Sequence, residues 1–90
     1  MSKIEEALSL FNKGFNCAQS LLAVYGREFG IERGMAFRIA GPFGGGMGKS
    51  GDTCGAVTGA LMVIGLKYGT DDISNRIAEK QTYEKTLSFI

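Results

Sequence analysis

Apolar residues recur at helical spacing from the start of the chain. Ile4, Leu8 and Phe11 fall four and three apart behind a Ser2-x-x-Glu5 capping-box pattern. They predict a first helix, closed by Gly14 with Lys13 in its last turn. Asn16, with Gln19 three residues on, predicts the cap of a second helix. That helix carries Leu21, Leu22, Val24, Tyr25 and Phe29 and stops near Gly30. The stretch GMAFRIAGPF predicts a third helix to about Ala40, where Pro42 and the glycines forbid continuation. Asp52 or Thr53 is the expected cap of a fourth helix through Leu66, with Gly69 as its stop. Asp71 or Asp72 opens a last helix on which Ile73, Ile77, Tyr83, Leu87 and Ile90 share a broad face. No alternating stretch argues for a strand. The expected architecture is all-α: a small bundle of four to five short helices, residues 1–90 forming one helical domain, with a glycine-rich loop before the fourth.

The end of the pattern is unusual. The last helix still presents apolar residues when the sequence reaches TLSFI, with no cap, glycine or polar tail. Either that face packs on a second subunit, making a homodimer, or the sequence is a fragment of something longer.

Composition narrows the function classes. Ten Lys/Arg against nine Asp/Glu leave a formal charge of +1, and no basic cluster is interleaved with aromatics, so nucleic acid is not an expected partner. The N-terminus lacks the pattern of a signal peptide. The longest apolar run, CGAVTGALMVIGL, is thirteen residues with three glycines, too short for a bilayer and better explained as a buried helix. The expected location is cytoplasmic. Two cysteines and no histidine fall short of the four ligands of a structural zinc site within one chain.

The segment GPFGGGMGKSGDTCGAVTG holds the candidate chemistry. Gly48-Lys49-Ser50 matches the second half of a phosphate loop, but the required first glycine falls on Phe43. Gly46-Met47-Gly48-Lys49-Ser50-Gly51 matches GxGxxG, with Asp71 twenty residues further on, yet no strand stands before the loop or before the acid. Neither nucleotide reading holds. An anion on the backbone N–H groups remains open, which makes residues 41–53 the loop of a non-enzymatic binding or dimerisation module in the competing reading.

The two thiols carry the leading reading. Cys17 follows Asn16 at the first position of a predicted helix, and Cys54 follows Asp52-Thr53 within the first turn of another. A helix N-terminus offers partial positive charge and free N–H donors, which favour a thiolate. The plain alternative is that both are small buried apolar residues. Gly51, Gly55 and Gly59 fall four apart and leave one side of the fourth helix nearly bare, so another helix can approach with Cys54 at the rim. Arg38 and Lys49 are the nearby cations, best read as solvated surface charges.

Phe15-Asn16-Cys17-Ala18-Gln19-Ser20, then Phe43-Gly44-Gly45-Gly46-Met47-Gly48, then Gly51-Asp52-Thr53-Cys54-Gly55-Ala56-Val57-Thr58-Gly59-Ala60 resemble one family across nearly the whole chain. It is the family of small redox-type proteins named for its C…CGAxxG…C…C pattern (C_GCAxxG_C_C). The resemblance implies a mostly helical bacterial or archaeal protein with a redox role, in some members encoded near transporters. Cys17 matches the first family cysteine and Cys54 the one in CGAxxG. The family's last two cysteines have no counterpart before Ile90. On this reading Cys17 and Cys54 are a dithiol/disulfide pair, or ligands of a soft metal or iron–sulfur cluster together with further thiolates, which two chains can pool. Gly44, Gly45, Gly46 and Gly48 are the candidate cofactor-binding positions beside them. The substrate and electron partner are not legible.

Overall fold

Caps set the element boundaries. In a computed structural model that describes residues 2–51 and 54–89, α1 (Lys3–Lys13) begins where the Ser2 side chain accepts the Glu5 N–H. It ends at Gly14, whose φ of 114° only glycine adopts without strain. α2 (Cys17–Tyr25) follows after two residues and tightens into a 3-10 turn, Gly26–Phe29, before Gly30 closes it. α3 (Arg33–Ala40) runs into a second 3-10 turn, Gly41–Phe43, carrying Pro42. α4 (Gly55–Tyr68) and α5 (Arg76–Phe89) complete the order. The described residues contain no strand, so the all-α expectation holds.

α2 is the hub and packs on α1, α3 and α4, while α5 packs on α4. The buried core is Leu10, Leu22 and Val24 with Ala18, Ala23, Ala36 and Ala40. Four alanines among seven core residues let the helices approach closely but bury little apolar area each. Phe15 and Phe37 stack at the edge of this core, ring centroids 3.9 Å apart.

Two expectations change in the structure. The apolar run of α4 is mostly half-buried rather than buried, because the helix lies between α2 and α5 instead of inside the core. The last helix starts at Arg76, not at Asp71 or Asp72. Asp72 instead accepts both the N–H and the hydroxyl of Ser74, bonds that hold its carboxyl below the usual value. Asn75 is the residue whose side chain accepts an N–H of the first turn, that of Ala78. Ile73 therefore lies in the turn before α5, and Ile90 is outside the described residues.

The structure also decides which faces are covered. Ile4, Leu8 and Phe11 do form one stripe of α1, but it is exposed; α1 meets the core through Leu10 and Ala7. α5 behaves likewise. Its half-buried positions include Ala78, Thr82 and Thr86, and Thr82 donates to the Tyr68 carbonyl of α4 at 2.8 Å. Its large apolar residues point outward. Helical spacing defines a face, not what that face meets.

Candidate functional site

The start of α2 anchors the rest of the site. Asn16 and Gln19 close a reciprocal capping box, with bonds of 2.8 and 2.9 Å. Each then uses its remaining amide to reach α3 and the turn after it. Asn16 Nδ2 donates to the Gly41 carbonyl and Gln19 Nε2 to the Phe37 carbonyl. These two side chains therefore pin the base of the glycine loop beside the first residue of α2. That residue is Cys17, half-buried.

The loop leaves this base at Gly44, where a Cβ would meet the Asn16 amide at 2.5 Å. Residues 45–49 then take five consecutive positive φ values, between 61° and 75°. Two of them, Met47 and Lys49, are not glycine, and a left-handed L-residue costs about 1–2 kcal/mol. Internal bonds hold the turn: the Gly48 N–H donates to the Pro42 carbonyl, the Lys49 N–H to Gly44, the Gly51 N–H to Gly45, and Ser50 Oγ to Gly46. Of the candidate cofactor-binding glycines, Gly44 and Gly48 thus spend their N–H groups inside the loop. Lys49 and Arg38 are exposed.

The start of α4 differs from that of α2. Its expected caps, Asp52 and Thr53, lie outside the described residues. Cys54 occupies the N-cap position with ψ 136°, one residue before the first helical turn where the sequence put it, and its side chain makes no capping bond. The extended backbone at Cys54 is what starts the helix at Gly55. Cys54 is exposed.

Glycines bring the two starts together. A Cβ at Gly55 would stand 3.3 Å from the Cys17 Cβ and 3.2 Å from the Ala18 nitrogen. One at Gly59 would stand 3.0 Å from the Ala18 Cα. α4 therefore lies on α2 through nearly bare backbone, with Cys54 adjoining the contact. Gly51, expected on the same face, is in the loop and meets nothing within 4 Å, because the helix has not yet begun there.

A groove opens beside this seam that sequence reasoning did not locate. It has a volume of about 360 Å³ and is lined by Ile4, Leu8, Phe11, Cys17, Leu21 and Ala56, among others. Its lining is almost wholly apolar, so Cys17 faces an apolar cleft while Cys54 faces solvent. The signal for it is present in the apolar stripe of α1, Ile4, Leu8 and Phe11, which lines one wall of the groove.

Both cysteines are free thiols. Among the described residues no three His, Cys, Asp or Glu side chains gather where they could hold a metal ion. Two thiols do not make the donor set of a tetrahedral thiolate site or cluster. No helix among the described residues is long and apolar enough to cross a membrane.

Comparison with known proteins gives one match. The family model described as "Putative redox-active protein (C_GCAxxG_C_C)" matches residues 15–90, spanning both cysteines and the glycine loop. No curated protein and no solved structure is significantly similar to the chain.

Proposed function

This chain belongs to that family, and from this premise we propose that Cys54 and Cys17 form a thiol–disulfide exchange couple, with Cys54 attacking and Cys17 resolving. The observation that carries the assignment is the seat of Gly55 against Cys17. It sets the residue adjoining Cys54 so close to Cys17 that a Cβ there would stand 3.3 Å from the Cys17 Cβ. Exposure supplies the order of events: Cys54 is open to a substrate, and Cys17 is half-buried behind it.

The reaction balances without a cofactor. The Cys54 thiolate attacks one sulfur of a substrate disulfide, making a mixed disulfide and releasing the first substrate thiolate, which takes up a proton. Cys17, deprotonated in turn, attacks the Cys54 sulfur. The Cys17–Cys54 bond forms as the second substrate thiol leaves, and two electrons have passed from the protein dithiol to the substrate disulfide. A more reducing dithiol resets the pair.

Equilibration with reduced and oxidised glutathione, followed by intact mass, tests this. The expected oxidised product has lost two hydrogens and carries no glutathione. Cys17→Ser should instead accumulate a glutathione adduct on Cys54. A folded wild-type chain that gives glutathione adducts and never the internal bond would overturn the couple.

A further inference from the structure

Asn16 does more than cap α2. Its side-chain oxygen accepts the Gln19 N–H, which is the capping bond, while its amide nitrogen donates to the Gly41 carbonyl at 3.2 Å. The loop lies against the same side chain again at Gly44, where a Cβ would meet the Asn16 Nδ2 at 2.5 Å and the Asn16 Cβ at 3.0 Å. Asn16 adjoins Cys17, and the segment it holds at Gly41 and Gly44 is the one that leads to Cys54. Gln19 divides its amide in the same way but has a different target. Its oxygen accepts the Asn16 N–H, and its nitrogen donates to the Phe37 carbonyl, inside α3 and before the loop begins.

The loop is braced across itself and so passes this restraint along. The Gly48 N–H donates to the Pro42 carbonyl at 2.7 Å, the Lys49 N–H to Gly44 at 2.9 Å and the Gly51 N–H to Gly45 at 3.0 Å. Gly51 stands three positions before Cys54. The Cys54 side chain makes no capping bond of its own. Two supports flank it instead: the braced loop on one side and the seat of Gly55 on α2 on the other.

Resting on the exchange reading, we propose that Asn16 is a positioning residue for the couple, its amide donor tying the loop that leads to Cys54 to the helix start that carries Cys17. The tie and a Cys17–Cys54 bond restrain the same segment against the same helix start. Whichever forms first therefore removes part of the ordering cost of the other. By reciprocity the internal disulfide is favoured while the tie is intact and weakened when it is cut. The worth of an ordinary hydrogen bond bounds the effect at about tenfold. Gln19 fastens the body of α3, so its outward bond carries no such coupling.

Two substitutions each cut one tie and keep the capping box. Asn16→Ser retains an oxygen for the Gln19 N–H but is too short to reach Gly41. Gln19→Glu retains an oxygen for the Asn16 N–H but has no donor for Phe37. Each chain is equilibrated with reduced and oxidised glutathione at pH 7, and the internal disulfide is measured by intact mass. Urea denaturation of the reduced chains gives their stabilities. Asn16→Ser should lower the equilibrium constant for the internal bond about fivefold and Gln19→Glu should leave it within about twofold, although both lose comparable stability. A merely structural role would move the two constants alike. Asn16→Asp has the same length with an acceptor in place of the donor. It should lower the constant at least as far, and it carries the test if the serine variant does not fold. A wild-type constant in the Asn16 variants, or an equal fall in Gln19→Glu, overturns the role of Asn16 and leaves the couple standing. A wild-type chain that forms no internal disulfide overturns both.

Discussion

The starts of α2 and α4 place the same residue type at nearly the same point of a helix and treat it in opposite ways. At α2 the cap is complete: Asn16 and Gln19 satisfy each other and tie down α3. Its cysteine comes just inside the helix, half-buried against an apolar groove. At α4 the cysteine is itself the N-cap residue, makes no capping bond and stands exposed. A start closed by a capping box holds the sheltered thiol, and a start whose N-cap side chain makes no capping bond holds the open one. In the proposed exchange couple this difference would divide labour between an attacking and a resolving sulfur, and it can be broken at several points.

The most damaging change should be Gly55→Leu, which forces a side chain into the Cys17 and Ala18 contact. Overpacking of this kind costs about 3 kcal/mol, and urea denaturation should show it. The variant should also lose the internal disulfide in the glutathione equilibrium, because the two starts no longer meet. Asn16→Ala removes the feature that most distinguishes the two starts. Losing the cap and the bond to the Gly41 carbonyl together should cost about 2 kcal/mol. Cleavage by a protease within residues 44–51 should quicken, since the base of the loop is then unpinned.

A gentler probe measures the contrast without altering it. In the folded chain iodoacetamide should modify Cys54 faster than Cys17 on the order of tenfold, through exposure and access. In urea the two rates should converge. Equal rates in the native protein would remove the asymmetry on which the order of attack depends. The smallest effects belong to the backbone around the seam. Gly65→Ala, where a Cβ meets nothing within 4 Å, should stabilise α4 by up to about 1 kcal/mol. Gly59→Ala should forfeit that gain, because its Cβ would press on Ala18. Lys49→Gly should gain about 1 kcal/mol by relieving a left-handed lysine. Thermal unfolding resolves changes of this size.

Much of the fold was legible because its signals are local. Ser2, Asn16, Gly14 and Gly30 act through bonds to residues a few positions away, so sequence spacing alone predicts them. The glycine face of α4 was legible at Gly55 and Gly59 and misjudged at Gly51, since one extended residue, Cys54, moves the helix start past it. The last helix was placed too early for a related reason. Asp72 and Asn75 both suit a cap, and only the chain's path shows that Asp72 is used in a turn with Ser74.

Spacing along the chain was enough to show that this chain is helical, where most helices stop, that nucleotide motifs fail in its loop, and that two cysteines stand at helix starts. Those properties rest on contacts within a turn or two of backbone. Only the tertiary structure decided that the stripe of α1 faces outward, that Asn16 and Gln19 hold the glycine loop, and that Gly55 sits on Cys17. The last two depend on residues 18 or more positions apart meeting in space, and periodicity along one helix carries no information about what lies across from it.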